Sequence, residues 1–258
     1  MKRIGRYTLR LENCPFVESY AAVVGKKESE GPAGVYFDRY YTDTTLGESS
    51  WEKAESRLQT EAVELALQKK GLNVSQMQYI FAGDLLNQCI SSTFGLRSLQ
   101  IPFLGQYGAC STMCQTLAMA SVFVDAGAAE RAVAVTSSHF CTAERQFRLP
   151  LEYGGQRPPT AQWTATAAGA AVVSAWRNTR KENSTDFAKV VEKMPVIEEV
   201  TVGRIADLGI KDANNMGAAM APAAAQTLVD FFDDTGTTAR DYDLILTGDL
   251  GYVGSDLL

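Results

Sequence analysis

Residues Glu61–Leu85 read EAVELALQKKGLNVSQMQYIFAGDL, and Gln226–Leu250, 165 positions later, read QTLVDFFDDTGTTARDYDLILTGDL. Laid in register without a gap, Gly71 falls on Gly236 and Tyr79-Ile80-Phe81 on Leu244-Ile245-Leu246. Gly83-Asp84-Leu85 likewise falls on Gly248-Asp249-Leu250. A helix stopped by glycine, then a short apolar strand that leaves through Gly-Asp-Leu, is written twice. Two copies of this length are not a solenoid; they predict a duplicated α/β half-domain. The first copy runs on into the segment with the most unusual chemistry, whereas eight residues follow Leu250.

The bulk numbers narrow the class. A chain of 258 residues can bury a substantial core as one large domain or two fused halves. With 46% hydrophobic and 21% charged residues it has the composition of a soluble globule. A net charge of −6 argues against a nucleic-acid surface. The longest uncharged run, Ser98–Val124, is broken by Pro102, Gly105, Gln106, Gly108 and Gln115, which suits a buried helix and its approach loop and not a membrane span. The N-terminus is basic but leads to alternating residues instead of an apolar signal core. Five cysteines (14, 89, 110, 114 and 141) without framework spacing predict reduced thiols in an intracellular compartment. The single histidine, His139, excludes a histidine-rich metal site.

Read for organisation, residues 6–25 predict opening strands and Gly31–Tyr41 a loop. Ser49 or Ser50 can cap a helix from Trp51 to about Lys70, with Trp51, Ala54, Leu58, Ala62 and Leu65 at helical spacing and Gly71 as its stop. Gln78–Ala82 predicts a strand. A helix from about Ser111 to Ala126, apolar on nearly every face, is expected deep inside the protein. Arg131–Thr136 has the continuous apolar run of a buried parallel strand. Tyr153–Pro159 reads as a Gly/Pro-rich loop and Thr164–Ala175 as a strand pair. Val190–Ile205 is strand-like, and Asn214–Pro222 reads as a loop before the second-copy helix. Residues 1–176 thus form a first half, 177–189 a polar seam, and 190–258 a second half. Mostly parallel sheets are expected.

Gly108-Ala109-Cys110-Ser111-Thr112 stands at the mouth of the buried helix. Unpaired N–H groups and the positive end of the helix dipole stabilise a thiolate placed there. The small residues before it permit the tight elbow that presents a nucleophile. Position alone favours the plainer reading, a small buried hydrophobe beside a cap. Cys114, one turn on, reads as core, and Met113, Met119, Met216 and Met220 as packing. Ligands of α/β sheets sit at strand carboxyl ends, which picks out Asp84, Ser137, Ser138 and His139. Asp84 reads equally as a loop-ordering carboxylate, a role its twin Asp249 would share, and His139 equally as a hydrogen-bonded loop residue. Arg145 and Arg148 are candidates for carboxylate recognition, with surface ion pairs as the plainer reading.

Cys110 at the start of such a helix, inside a duplicated α/β half, resembles the thiolase superfamily and its ketoacyl synthase III branch. A narrower resemblance rests on Ala82–Gln88 (AGDLLNQ), Gly108–Thr112 (GACST), Thr136–His139 (TSSH), Thr142–Arg148 (TAERQFR), Glu152–Gln156 (EYGGQ) and Met216–Ala224 (MGAAMAPAA). Together these are similar to the stage V sporulation protein AD family, over essentially the whole chain. The resemblance implies an α/β thiolase-like fold of two duplicated βαβ-rich halves in an α/β/α/β/α layering, with the second half incomplete here. It implies a non-catalytic protein that binds dipicolinic acid, or its calcium chelate, during loading of the bacterial spore. Cys110, Asp84, Ser137, Ser138 and His139 are then the ligand-binding candidates, with no cofactor and calcium only as the ligand's counter-ion. Implied partners are the other stage V sporulation A membrane proteins and a second copy in a homodimer. The expected location is soluble and intracellular, peripheral to the inner spore membrane. The alternative is an acyltransferase or condensing enzyme with Cys110 as nucleophile. That chemistry takes a histidine from the second half, and no histidine follows His139 in these residues.

Overall fold

The computed structural model describes residues 1–147, 162–175, 194–212 and 215–258. Arg148, the 153–159 loop and the 177–189 seam lie outside the described residues. Among the described residues the strands are β1 (Lys2–Arg3), β2 (Thr8–Arg10), β3 (Phe16–Val24), β4 (Arg39–Tyr40), β5 (Tyr79–Gly83), β6 (Phe103–Gly105), β7 (Arg131–Ser138), β8 (Ala167–Ser174) and β9 (Glu199–Thr201). The α-helices are α1 (Lys26–Ser29), α2 (Trp51–Gln68), α3 (Ile90–Leu96), α4 (Thr112–Asp125), α5 (Phe140–Phe147), α6 (Met216–Thr235) and α7 (Gly251–Leu257).

The chain divides into two compact units, the larger comprising Leu11–Leu149 and Thr164–Glu198. Its sheet has the order β4-β3-β8-β7-β5-β6. Strand β5 runs parallel to β6 and to β7, the latter as the apolar run Arg131–Thr136 predicts. Strand β8 pairs antiparallel with both β7 and β3, so the sheet is mixed, with β8 running against the other five strands, which share one direction. Thr164–Ala175 therefore yields one strand, not a pair, because its partners come from β3 and β7.

Alternation along the strands feeds two apolar layers. Ile80, Ala82, Val133, Val135 and Val172 pack with Ala54, Leu58, Ala62 and Val63 of α2 on one face. Phe81, Ala132, Ala134 and Val173 pack with Ala120 and Val124 of α4 on the other. Phe123 of α4 sets its ring edge-on to Phe81 at 4.9 Å, filling the space the small alanines leave. Full burial of a side chain such as Leu58 contributes about 1.5–3 kcal/mol.

Helix α2 starts where Ser50 accepts a hydrogen bond from Lys53 N at 3.3 Å. It is followed by Gly71 at φ +63°, where a side chain would be strained. Helix α4 departs from expectation. It buries one stripe, Thr112, Thr116, Ala120 and Val124, while Cys114 and Gln115 are exposed. Its hydroxyls explain the misleading composition: Thr112 and Thr116 bond back to helical carbonyls, so they pack on the sheet as if apolar.

The smaller unit holds Met1–Arg10, Pro150–Trp163 and Glu199–Leu258. Strands β1, β2 and β9 form an antiparallel sheet. Helix α6 begins at Met216, inside the predicted loop. Asn215 caps it by accepting from Ala218 N at 3.2 Å, and Pro222 sits within it. An alanine-rich run outweighs one missing N–H. Leu244-Ile245-Leu246, the counterpart of β5, forms no strand, and Leu244 and Leu246 are 70% and 82% exposed. Strand β5 is held by β6 and β7, which follow it in sequence. After Leu250 the chain forms α7 instead.

Candidate functional site

The carboxyl ends of β5 and β7 meet over the middle of α2, and the residues there are polar and buried. Glu55 and Gln59, one helical turn apart, are fully buried among the apolar residues of α2. The Gln59 amide donates to Gly83 O and to Ser92 Oγ at 3.1 Å each, and more distantly to Ser137 Oγ at 3.4 Å. Ser137 Oγ in turn donates to Glu55 Oε1 at 3.0 Å. Thr142 Oγ1 lies 2.8 Å from Glu55 Oε2 and 3.0 Å from the carbonyl of His139. Its single proton serves one of them at a time. Burial, with the nearby Asp84 carboxylate adding to it, pushes the Glu55 pKa up to about 7 against the hydrogen bonds that favour its charge. A protonated Glu55 can donate to Thr142, releasing the threonine proton to His139 O.

Asp84 is a loop-ordering residue. Its Oδ1 accepts from Leu86 N at 2.8 Å, and its Oδ2 accepts from Ser92 N and Oγ at 2.7 and 2.6 Å. Both oxygens are engaged, and the side chain is 1% exposed. Gly83 is required beside it, since a Cβ there would overlap the backbone oxygen of Gln106 and the Thr112 methyl. That close approach seats the turn before α4 against the end of β5.

His139 is equally committed. It is 1% exposed, with Nε2 2.7 Å from Thr44 O and Nδ1 accepting from Cys141 N at 3.2 Å. An acceptor Nδ1 and a donor Nε2 define the neutral Nε2–H tautomer. Burial lowers its pKa, and its ring stacks on Trp51 at 6.5 Å. Ser138 Oγ donates to Ala165 O at 2.6 Å.

Cys110 is different. It lies in the turn Ala109–Ser111 ahead of α4 and is exposed. Ala109 stands at φ +47°, a left-handed conformation costing an alanine roughly 1–2 kcal/mol. The elbow read from the small residues is thus present, with the thiol on its outside. Cys114 is also exposed, not core.

The structure therefore joins Asp84, Ser137 and His139 through Ser92, Gln59, Glu55 and Thr142. It leaves Cys110 apart from this network and ties Ser138 to a neighbouring carbonyl. Glu55 and Gln59 were missed in the sequence. Their signal is a Glu-x-x-x-Gln pair in register with the apolar stripe of α2. Arg145 forms an ion pair with Glu52, with its guanidinium 5.8 Å from the Trp51 ring centre. Among the described residues no cluster of three or more His, Cys, Asp or Glu is arranged to hold a metal ion.

This arrangement is that of a thiolase-like α/β protein. The OleA of Xanthomonas campestris bound to cerulenin superposes with a TM-score of 0.62 at 13% identity, over 99% of this chain and 80% of that one. The 3-oxoacyl-(acyl carrier protein) synthase III of Xanthomonas oryzae gives 0.59 at 13% identity, over 96% and 81%. At such identity the likeness establishes the fold. The particular family follows from sequence: residues 5–258 match the stage V sporulation protein AD family. The Stage V sporulation protein AD of Bacillus subtilis (strain 168) is 47% identical over 258 residues, all of this chain and 72% of that protein. The chain belongs to the stage V sporulation protein AD family.

Proposed function

We propose that this chain is a non-catalytic binder of dipicolinic acid in spore loading, with the Cys110 turn as its ligand contact. The observation that carries the reading is the contrast between Cys110 and His139. The thiol is exposed beside the positive end of a 14-residue helix, where an anion is favoured. The histidine that would have to act as its base is buried, neutral and bonded at both nitrogens. In this reading Asp84, Ser137 and His139 shape the site from behind, and Ser138 fixes the neighbouring strand end. Calcium enters as the ligand's counter-ion.

Titration calorimetry of the 258-residue chain with dipicolinic acid, with and without calcium, tests the proposal. Saturable binding weakened at least tenfold by Cys110→Ala is expected. No binding, or binding indifferent to that substitution, overturns it.

The strained, exposed elbow favours one other reading, acyl transfer through Cys110. Incubation with acyl-CoA followed by intact mass measurement decides it; an acyl adduct lost in Cys110→Ala would establish it.

The reading extends to location and partners. We place the protein against the inner spore membrane, as a homodimer docked to the other stage V sporulation A membrane proteins. Among the described residues no helix is long and apolar enough to cross a membrane. Co-purification with those proteins from sporulating cells is the corresponding test.

A further inference from the structure

A cavity of about 220 Å³ lies on the α2–α5 side of the loop after β5 and shares Thr142 with the hydrogen bonds that tie Glu55 to His139. Its rim carries the ion-paired Glu52 and Arg145, its wall Leu86 and Ile90, and its remaining polar groups are the Asn87 and Gln146 amides and the Thr142 hydroxyl. The wall is held in place. Gln88 and Cys89 are consecutive non-glycine residues at φ +60° and +52°, a strained pair of the kind that clusters at ligand clamps. Leu86 N is tied to Asp84, Cys89 Sγ to Gln106 O, and Thr93 Oγ1 to Cys89 O. In the second copy Glu55 and Gln59 are replaced by Met220 and Ala224, so this buried polar support belongs to the first copy alone.

We propose that this cavity binds a small zwitterion, an α-amino acid with an apolar side chain. The volume falls below that of ordinary small-molecule pockets, so the ligand has few atoms. A dianion would meet Glu52 and, behind Thr142, the buried carboxyl of Glu55, and a simple cation would meet Arg145. A zwitterion gives each rim group a partner: its carboxylate takes the forked guanidinium of Arg145 and its ammonium takes Glu52. The side chain then packs on Leu86 and Ile90. The Glu52 and Arg145 side chains are 33% and 48% exposed, so their own pair is weak and opening it costs little. The ligand restores what it displaces and adds apolar burial.

The test is calorimetric titration of the 258-residue chain with leucine, N-acetyl-leucine and leucine amide. Saturable leucine binding is expected, weakened at least tenfold when either charge of the ligand is capped. Glu52→Gln and Arg145→Gln, each verified as folded by thermal melting, should weaken leucine binding comparably and leave dipicolinic acid binding unchanged. Absent leucine binding, equal binding of the capped ligands, or indifference to both substitutions overturns the proposal. Competition between leucine and dipicolinic acid would overturn the separateness of this cavity from the Cys110 turn.

Discussion

The carboxylates of Asp84 and Asp249, 165 positions apart, each accept a hydrogen bond from the backbone N–H two residues on, at 2.8 and 2.9 Å. The caps agree with this register: Ser50 accepts from Lys53 N, and Asn215 accepts from Ala218 N. Gly71 and Gly236 stand at φ +63° and +69°, and Asn73 and Thr238 each close a capping box. The duplication is thus one of geometry, from the N-cap of a helix to the turn after its strand. Where the copies diverge is in what the aspartate does next. Asp84 also takes both donors of Ser92, whereas Asp249 is exposed.

That difference predicts unequal substitutions. In Asp84→Asn one amide group must face a buried donor, leaving Leu86 N or Ser92 N unsatisfied, at a cost of roughly 2–3 kcal/mol. Asp249→Asn keeps its single acceptor and should change stability by less than about 0.5 kcal/mol. Urea unfolding of the two variants measures both; equal losses would mean that the Ser92 bonds contribute nothing.

Glu55 predicts a pH dependence of unfavourable sign above neutrality. Its folded pKa, about 7, lies above the ordinary glutamate value of 4.5, so the folded state holds its proton more tightly than the unfolded chain. The stabilisation is complete below pH 4.5 and is lost as pH rises through 7. The span corresponds to roughly 3 kcal/mol. Glu55→Gln removes this term, so the variant should gain on the wild type steadily from pH 5 to pH 8. Because His139, with its lowered pKa, contributes the opposite trend on the acid side, the quantity to follow is the difference between the two proteins in denaturant midpoint. A difference that stays flat with pH would show that Glu55 is ionised throughout.

Why some of this was legible beforehand, and some not, follows from which signals are local. The Ser50 cap, the Gly71 stop, β5, β7 and the Cys110 elbow each depend on a few adjacent residues. The antiparallel place of β8 between β3 and β7 does not, because AAGAAVVS is small and apolar on both faces and carries no mark of direction. The predicted Asn214–Pro222 loop misled from Met216 on, because its proline outweighed the alanines around it. The buried polar cluster was hidden for a further reason. Glu55 and Gln59 find their partners across the fold, where β5 and β7 deliver Gly83 and Ser137. Exposure of Cys114 was equally out of reach, since hydroxyls folded back onto a helix look apolar only in three dimensions.

Gly83→Ala should destabilise strongly although the strand around it is regular. The added methyl would overlap the Gln106 backbone oxygen, which is itself the acceptor of the Cys89 thiol. Neither backbone can yield without disturbing the turn that leads to Cys110. Overpacking of this kind costs roughly 3 kcal/mol, and the perturbation should spread to residues 106–112, which amide exchange would resolve. Exchange unchanged in that segment would show that β5 and the elbow are not mechanically joined.

Thiol reactivity separates the cysteines by position. Cys14, Cys110 and Cys114 are exposed, whereas Cys89 is buried and donates to Gln106 O. Burial, reinforced by the Asp84 carboxylate, raises the Cys89 pKa, and burial likewise raises that of Cys141. The thiolate is the reactive species, so a raised pKa and lost access act in the same direction. Limited alkylation with iodoacetamide at pH 7.5, mapped by peptide mass spectrometry, should modify Cys14, Cys110 and Cys114 well before Cys89. Asp84→Asn should then admit the reagent to Cys89, because the substitution loosens the Leu86–Ser92 turn that covers it. Rapid labelling of Cys89 in the wild type would instead show that the wall of the Arg145 cavity opens without help.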